Sequence, residues 1–404
     1  MTAPPPEPDT LRSLWSLDPD VVYLNHGGFG ACPRPLLAAQ AEHRARIERN
    51  PAAFFQRDWL LLQDEVLQAL GAFVGAEPED LALLTNATTG VNTVLASLRL
   101  GPGDELLVTD HEYRAVTNAA VAAAERAGAR VVVAEVPFPV PDEESVVAAV
   151  LARVTERTRL ALIDHVTSVS GMRFPVERLV PALQSRGVDV LVDGAHALGM
   201  LPLALDRLGA AYYTGNAHKW LCTPKGAAFL HVRRDRQEHL RPLVVSHGAT
   251  LTGRGRSRFR LEADWTGTTD VTPYLCIPEA IRFFETLLPG GWTELRARNH
   301  ALVVAGRRVL LDALGLVPGC PEALLGAMAA LPLPARRGPG GQAPYFLEPL
   351  QEALALRFRI EVPVAGWPGP TGRTLRISAQ LYNRLEDYEA LAHALRALPP
   401  DLSI

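Results

Sequence analysis

The chain has 404 residues, 48% hydrophobic and 21% charged, with a formal net charge of −4 at pH 7. This composition excludes a disordered chain and predicts two or three domains around a large core. The slightly acidic balance, without a basic run interleaved with aromatic residues, argues against a nucleic-acid partner.

The distribution of apolar residues and cysteines limits the class of protein further. The sequence has no run of about 20 apolar residues of the kind that crosses a bilayer, and its proline-rich, acidic start is unlike a secretory signal. Cys32, Cys222, Cys276 and Cys320 lie far apart, which disfavours a disulfide framework or a zinc site. We therefore predict a cytoplasmic protein without a membrane segment or a bound metal.

Helical spacing covers residues 35–73, interrupted at Pro51, and from residue 81 short apolar segments alternate with helical ones. The predicted strands are Leu81–Leu84, Glu105–Thr109, Arg130–Val136, Leu160–Ile163, Val188–Val192, Ala211–Thr214 and Ala227–Val232, and the predicted helices between them cover 89–99, 114–127, 142–156 and 175–186. This alternation predicts an α/β domain with a mostly parallel sheet, in which ligands bind beyond the carboxyl ends of the strands.

The C-terminal third has a different pattern. A long loop is predicted over 246–270, which is rich in Gly, Ser, Thr and Arg, and helices over 273–288 and 291–315. The rest predicts a loop over 331–345 and strands at Leu356–Pro363 and Thr374–Ala379. We therefore divide the chain into an N-terminal extension (1–20), a large α/β domain (21–270) and a small α+β domain (271–404).

Lysine is almost absent from the sequence. Only two of the 40 basic residues are lysines, Lys219 and Lys225, and they lie six positions apart. Arginine and lysine are interchangeable as surface charge, but only lysine can lose its proton and act as a nucleophile or base. The pair therefore indicates a segment in which arginine cannot serve.

Hydroxyl and aromatic residues follow the first two strands of the series. Thr88 and Thr89 open a helix, where free backbone N–H groups favour a phosphate. Tyr113 follows the next strand, where its ring can cover a ligand at the edge of the sheet. Each position also has a simpler explanation, namely a helix N-cap for the threonines and a tyrosine that merely starts a helix.

A carboxylate and an amine follow two later strands. Asp193 ends a buried strand, where a carboxylate is costly unless it meets a strong donor such as a protonated ring nitrogen; a structural cap of the next helix is the alternative. His196 can hydrogen-bond a ring substituent, and Lys219 follows the next strand. A phosphate, a flat ring, a protonated ring nitrogen and an aldehyde together define pyridoxal 5′-phosphate (PLP), which a lysine Schiff base and an aspartate hold.

Motifs over about residues 20–395 resemble those of the class V aminotransferase family of fold-type I PLP enzymes, in particular its isopenicillin N epimerase-like branch, which is related to cysteine desulfurases. The matched segments are Leu24–Gly27, Asn86–Gly90, Asp110–Tyr113, Val192–His196, Gly215–Trp220, Trp265–Thr269, Arg359–Pro363 and Leu375–Asn383. The resemblance implies the aspartate aminotransferase-like fold, with a mostly parallel sheet in a large domain and a smaller α+β domain.

The resemblance implies cofactor-binding roles for the matched residues. Lys219 is expected to form the Schiff base and Asp193 to pair with the ring nitrogen, while Tyr113 stacks on the ring. The other expected cofactor contacts are Thr88, Thr89, Asn216 and His218 at the phosphate, and His196 and Ser168 near the ring oxygen. Lys219, Asp193 and His196 are the expected catalytic residues.

The resemblance also implies a substrate site and a partner. Arg376 is expected to hold the α-carboxylate of a small amino-acid substrate, because its planar fork suits a carboxylate, with Asn25 and His26 close by. Thr268 is expected to reach the phosphate of the neighbouring subunit, which implies a homodimer with shared active sites. Lys225 matches a family position without a chemical role.

Several reactions share the expected start, the removal of the substrate α-proton by Lys219. Racemisation or epimerisation needs a second acid, for which Tyr113, His26 and His196 are candidates; transamination and β-elimination of a sulfur group are the other outcomes. A persulfide-forming desulfurase is disfavoured because residues 358–368 contain no cysteine. The rival from another class is a binding protein that kept the fold and lost turnover.

Overall fold

A seven-stranded sheet forms the centre of the structure, a computed structural model that describes residues 8–252, 255–335, 348–369 and 372–398. The start of the chain before residue 8 and most of the predicted loop 331–345 lie outside the described residues. The strands are β1 (Val22–Tyr23), β2 (Leu81–Leu84), β3 (Glu105–Thr109), β4 (Arg130–Ala134), β5 (Thr158–Asp164), β6 (Asp189–Asp193), β7 (Tyr212–Asn216), β8 (Ala228–Val232), β9 (Met328–Leu333), β10 (Ile360–Glu361), β11 (Val364–Ala365) and β12 (Arg373–Ser378).

Helices precede, separate and follow these strands. They are α1 (Pro8–Arg12), α2 (His26–Phe29), α3 (Arg34–Arg49), α4 (Pro51–Ala53), α5 (Trp59–Val74), α6 (Ala87–Ser97), α7 (Arg114–Ala127), α8 (Glu143–Leu151), α9 (Val176–Gln184), α10 (Leu205–Leu208), α11 (Arg258–Ala263), α12 (Thr272–Leu287), α13 (Gly291–Leu314), α14 (Pro349–Phe358) and α15 (Leu385–Arg396). Within the described ranges, no helix is long and apolar enough to cross a membrane.

The strand order of the large sheet is β2-β8-β7-β6-β5-β3-β4. The five strands from β7 to β4 are parallel, and β8 is antiparallel to both of its neighbours. The chain order reverses between β3 and β5, and a crevice at such a point is where open α/β sheets bind ligands. The predicted α/β architecture is thus confirmed, and it directs attention to the residues that follow β3, β5 and β6.

Both faces of this sheet are buried. In β5, Leu160 and Leu162 pack in the hydrophobic cluster that contains α6 and α7, whereas Ala161 and Ile163 pack in the cluster on the other face with α8 and α9. Successive apolar residues along a strand are what burial on two faces requires.

A second sheet is antiparallel, in the order β11-β12-β9. The N-terminal β1 pairs in parallel with β10, and the backbone N–H of Ser378 donates to the carbonyl oxygen of Leu24 at 3.0 Å. These bonds carry the Asn25–His26 segment to the end of β12, although some 350 residues separate them in sequence. The proposed domain boundaries at residues 20 and 270 stay predictions.

Three local predictions were wrong. Leu356–Pro363 was predicted as one strand, but only Ile360–Glu361 (β10) form a strand there. The helix α14 continues to Phe358, because Glu348 caps it and Leu350, Ala353 and Leu354 recur at helical spacing on its buried side. The loop predicted from residue 331 instead begins with the last residues of β9, which pair with β12. The loop predicted over 246–270 contains α11, whose N-terminus is capped by the Ser257 hydroxyl.

Candidate active site

A small cavity lies at the carboxyl ends of β3, β5, β6 and β7. Residues that line it are Ala87, Thr88, Tyr113, Asp164, Ser168, Asp193, Ala195, His196, Asn216 and Lys219. The wall therefore brings together most of the predicted cofactor-binding residues from separate strand ends. Thr89, His218 and Thr268 are not part of this wall.

The side chain of Lys219 is half-buried and lines this cavity. Its Nζ lies 3.2 Å from His196 Nε2, and the indole N–H of Trp220 donates to His196 Nδ1 at 3.5 Å. Burial, with a smaller contribution from the charge of Arg376, lowers the pKa of Lys219 to about 8 against the opposing effect of Asp193 and Asp164. Burial also lowers the pKa of His196 well below its usual value. A neutral imidazole thus lies beside an amine that is readily deprotonated.

Hydrogen bonds of two side chains, His26 and Lys225, hold the backbone around Lys219 in place. His26 is fully buried, and its Nε2 bonds the carbonyl oxygen of Lys219 at 3.0 Å, while its Nδ1 bonds the Tyr382 hydroxyl at 2.8 Å. Burial lowers the pKa of His26 to about 3, so the ring is neutral. Lys225 Nζ donates to the carbonyl oxygen of Gly30 at 2.6 Å. The second lysine therefore tethers the loop that supports the first, a role that the sequence did not reveal.

The phosphate-binding end of the predicted site is the start of α6. Asn86 Oδ1 accepts the N–H of Thr89, and Asn216 Oδ1 accepts the N–H of Ala87, both at 2.8 Å. The first N–H groups of a helix have no intrahelical acceptor, and the N–H of Thr88 has no acceptor among the described residues, so it is available to an anion. The N-cap of α6 is Asn86 rather than a threonine, and the Thr89 hydroxyl donates to Asn86 Oδ1 at 3.0 Å.

Two other predicted cofactor contacts have different surroundings. His218 is half-buried, and its Nδ1 lies 2.8 Å from the carbonyl oxygen of Ala227, while burial lowers its pKa to about 4. Thr268 is exposed to solvent. In a single chain, therefore, neither side chain completes the cavity.

The carboxylate-binding residue predicted from the sequence, Arg376, is buried on β12. Its guanidinium donates to the carbonyl oxygen of Ser168 and to Asn25 Oδ1, the latter at 3.1 Å, while its Nε has no partner. No carboxylate within the described ranges forms an ion pair with it. Burial lowers the pKa of Arg376 to about 10. A buried, charged guanidinium without a counterion is suited to an anionic ligand.

Asp193 has the environment expected of a partner for a protonated ring nitrogen. It is buried, and its Oδ1 accepts the N–H of Ala195 at 2.8 Å. Burial raises its pKa, and the Lys219 charge only partly offsets this. Sequence reasoning missed two further buried acids here, Glu112 and Asp164. Asp164 ends β5 as Asp193 ends β6, so the same strand-end signal could have identified it.

These residues fit PLP. The amine of Lys219, the buried carboxyl group of Asp193 and the free helix start at Thr88 surround one cavity. Together they offer the nucleophile, the ring-nitrogen partner and the phosphate donors that this cofactor requires.

Solved structures define the class of fold. The cystine C–S lyase C-DES, in complex with its reaction product cysteine persulfide, superposes with a TM-score of 0.79 at 22% identity, covering 95% of this chain and 99% of that one. The fold is therefore that of the fold-type I PLP-dependent enzymes, which confirms the predicted fold class.

Sequence comparison defines the family. The model of the class V aminotransferases matches residues 58–313. Isopenicillin N epimerase of Streptomyces clavuligerus is 38% identical over 96% of this chain and 98% of its own length. A probable chloroplastic L-cysteine desulfhydrase of Arabidopsis thaliana is 30% identical over 95% and 84%. The chain belongs to the class V aminotransferase family, which is PLP-dependent, and the predicted cofactor is thereby confirmed.

Proposed function

We propose that this protein is a PLP-dependent enzyme that removes and returns the α-proton of a small amino acid or amino-acid derivative, and that racemisation or epimerisation is its reaction. The observation that carries the proposal is the amine of Lys219, whose pKa is lowered to about 8, in one cavity with Asp193. Similarity to isopenicillin N epimerase over nearly the full length supports it.

Each residue has a distinct part in the proposed reaction. PLP, when bound, withdraws electrons from the α-carbon of the attached amino acid. Lys219 Nζ would hold the cofactor in the resting enzyme and, once free, move the α-proton. Arg376 would orient the substrate carboxylate, since its guanidinium has no counterion within the described ranges, and Asp193 would keep the ring nitrogen protonated.

Inversion at the α-carbon needs a second acid on the face opposite Lys219. Of the three candidates, His26 is bonded to the Lys219 backbone and to Tyr382, and His196 lies at the Lys219 amine. Tyr113 lines the cavity from another element and is 47% exposed. We therefore assign the second proton transfer to the Tyr113 hydroxyl.

β-Elimination from a sulfur amino acid is the second candidate, because the relatives include L-cysteine desulfhydrases. This reaction needs Lys219 but no second acid. None of the four cysteines lines the cavity, and Cys222, Cys276 and Cys320 are buried, so a persulfide on the enzyme has no support in the described site.

Proton exchange in deuterated water tests the proposal. The purified protein with PLP is incubated with single L- and D-amino acids, and loss of the α-proton signal is followed together with optical rotation. We expect both enantiomers to exchange and interconvert. Tyr113→Phe should keep exchange of one enantiomer and slow interconversion by about 10², whereas Tyr212→Phe, at the opposite end of β7, should change neither.

Other products would decide against epimerisation. Pyruvate and sulfide from L-cysteine would support the elimination reaction, and stoichiometric keto-acid formation would support transamination. A protein that develops no imine absorbance with PLP and exchanges no α-proton would contradict the enzyme proposal and favour the non-catalytic binding protein.

We also infer that two copies assemble with shared active sites, as the resemblance at Thr268 implies. Thr268 is exposed in the single chain, and the consecutive apolar side chains of Leu243, Val244 and Val245 are 48%, 54% and 72% exposed. Exposed apolar area of this kind is typical of a surface that a partner covers. The cytoplasmic location stays a prediction.

A further inference from the structure

Three buried carboxyl groups meet at the reversal point of the large sheet. Glu112 follows β3, Asp164 ends β5 and Asp193 ends β6, and these strands are neighbours in the order β6-β5-β3. The register pairs Asp164 directly with Asp193. One oxygen from each of the three groups lies within 4.8 Å of the others. We call these three residues the carboxyl cluster.

The carboxyl cluster has few partners for its charge. Glu112 Oε1 accepts the N–H of Tyr113 at 2.9 Å and Asp193 Oδ1 accepts that of Ala195. By contrast, Glu112 Oε2 and Asp164 Oδ2 are buried without any hydrogen-bond partner among the described residues. A buried ionised oxygen without a donor is strongly disfavoured.

The groups that face the carboxyl cluster cannot neutralise three negative charges. From the β7 side, the amine of Lys219 stabilises the ionised forms of Asp164 and Asp193, but it supplies at most one positive charge. His196 is neutral, because burial lowers its pKa. The Tyr213 hydroxyl is also uncharged, because burial raises its pKa well above 10. The Arg376 guanidinium is bonded to Ser168 and Asn25.

Like charges this close in a dry site cannot all ionise. Burial and the repulsion of neighbouring carboxylates raise the pKa of both Glu112 and Asp164 well above the usual range. The Asp193 pKa is also raised, but a backbone N–H and the Lys219 amine favour its ionised form. Asp193 is therefore the member that carries the charge.

We propose that Glu112 and Asp164 retain their protons at neutral pH, so that the carboxyl cluster carries one negative charge, on Asp193, to match one protonated ring nitrogen. This inference rests on the proposed placement of that nitrogen against Asp193. Glu112 and Asp164 are positioning residues here. They keep the charge at Asp193 single.

Infrared difference spectroscopy on the full-length protein with bound PLP tests this assignment, because a protonated carboxyl has a carbonyl stretch that an ionised one lacks. Asp164→Asn and Glu112→Gln are close in shape to the protonated acids. Each variant-minus-wild-type spectrum at pH 7 should show the loss of one protonated-carboxyl band that shifts in deuterated water. Glu177→Gln, which removes an acid paired with Arg173 at 2.9 Å, should show only the loss of an ionised carboxylate band.

The inference is overturned if either cluster variant loses only an ionised-carboxylate band, as a cluster with more than one negative charge would. Should either variant fail to fold, titration of the wild-type band decides the matter, because it must persist above pH 7 and not vanish near pH 4. Asp193→Asn separates the two proposals. Unchanged cofactor absorbance and affinity in that variant would remove the ring-nitrogen placement, while the infrared bands would still report on the cluster.

Discussion

At the scale of single residues, the amine of Lys219 is shielded from the solvent that normally keeps an amine charged. Lys219 is one of only two lysines among the 40 basic residues of the sequence, and the pKa of its amine is lowered to about 8. An amine is a nucleophile only when neutral. Since arginine stays protonated at any accessible pH, only lysine can serve at this position.

The lowered pKa of Lys219 predicts how cofactor binding depends on pH. The neutral fraction of this amine rises through pH 8, so the rate of imine formation between cofactor-free protein and PLP should increase by about tenfold from pH 7 to pH 9 and then level off. Stopped-flow absorbance measures this rate, and Lys219→Ala should form no imine. A rate that still climbs steeply above pH 10 would mean that the amine is solvated.

The proposed carboxylate-binding role of Arg376 predicts that its substitution selectively weakens the affinity for substrate. Arg376→Lys removes the planar fork but keeps a cation, so KM for an amino acid should rise by about 10–100-fold while kcat changes less. Arg373→Lys is the matched control, because Arg373 lies buried on the same strand and faces Glu348 rather than the cavity. Equal effects of the two substitutions on KM would contradict a carboxylate-binding role for Arg376.

Strand ends explain why the sequence predicted much of the candidate site. Asp193 and Lys219 follow apolar runs that are recognisable one strand at a time, and the sheet then brings their side chains to one edge. His26 could not be placed in this way. Its partners, the Lys219 carbonyl and the Tyr382 hydroxyl, lie 193 and 356 positions away, and no local pattern encodes such a contact.

At the scale of elements, the segment from Asn25 to Gly30 supports the turn that carries Lys219. Gly30 has φ of +66°, and a Cβ built on it would lie 2.3 Å from the carbonyl oxygen of His218 and 2.8 Å from that of Lys219. His26 and Lys225 bond across the same contact. Because this contact joins backbone to backbone, no flexible side chain can move to relieve it. The packing at Gly30 therefore determines where Lys219 lies.

Gly30→Ala should therefore displace Lys219. Gly315→Ala is the control, because Gly315 has φ of +63° but an added Cβ would meet nothing within 4 Å. Both substitutions should lower the free energy of unfolding by about 1 kcal/mol, because alanine is strained in a left-handed backbone conformation. Only Gly30→Ala should also weaken PLP binding, by about tenfold or more, as measured by absorbance titration beside thermal unfolding. Equal PLP affinity in both variants would show that the Gly30 contact does not position the amine.

Elements differ in how well the sequence predicted them. The core strands β3, β5 and β6 were located to within two residues, because burial on both faces leaves continuous apolar runs. The start of the segment Leu356–Pro363 was misassigned as strand, since its apolar residues fit both the helical and the strand periodicity. The residue that caps this helix, Glu348, lies before the start of that segment. Its carboxylate accepts the N–H of Leu350 at 2.7 Å.

At the scale of the whole molecule, the proposed dimer would complete each cavity with residues of two chains. The wall contains Thr88 and Asn216 but not Thr268, which was predicted to reach the phosphate of a neighbouring subunit. If the sites are shared, Lys219 and Thr268 of any one site belong to different chains. Two defective chains can then complement each other.

Mixed dimers test this arrangement. Lys219→Ala removes the amine, and Thr268→Glu places a negative charge where the partner's phosphate is expected, so each homodimer should bind PLP poorly or form no imine. Co-expressed with different affinity tags, the two variants should give a heterodimer with one intact site, made of Lys219 from one chain and Thr268 from the other. Imine absorbance should then return to about half of the wild-type value per dimer. A monomeric mass in solution, a Thr268→Glu homodimer that binds PLP normally, or a heterodimer without imine absorbance would each contradict shared sites.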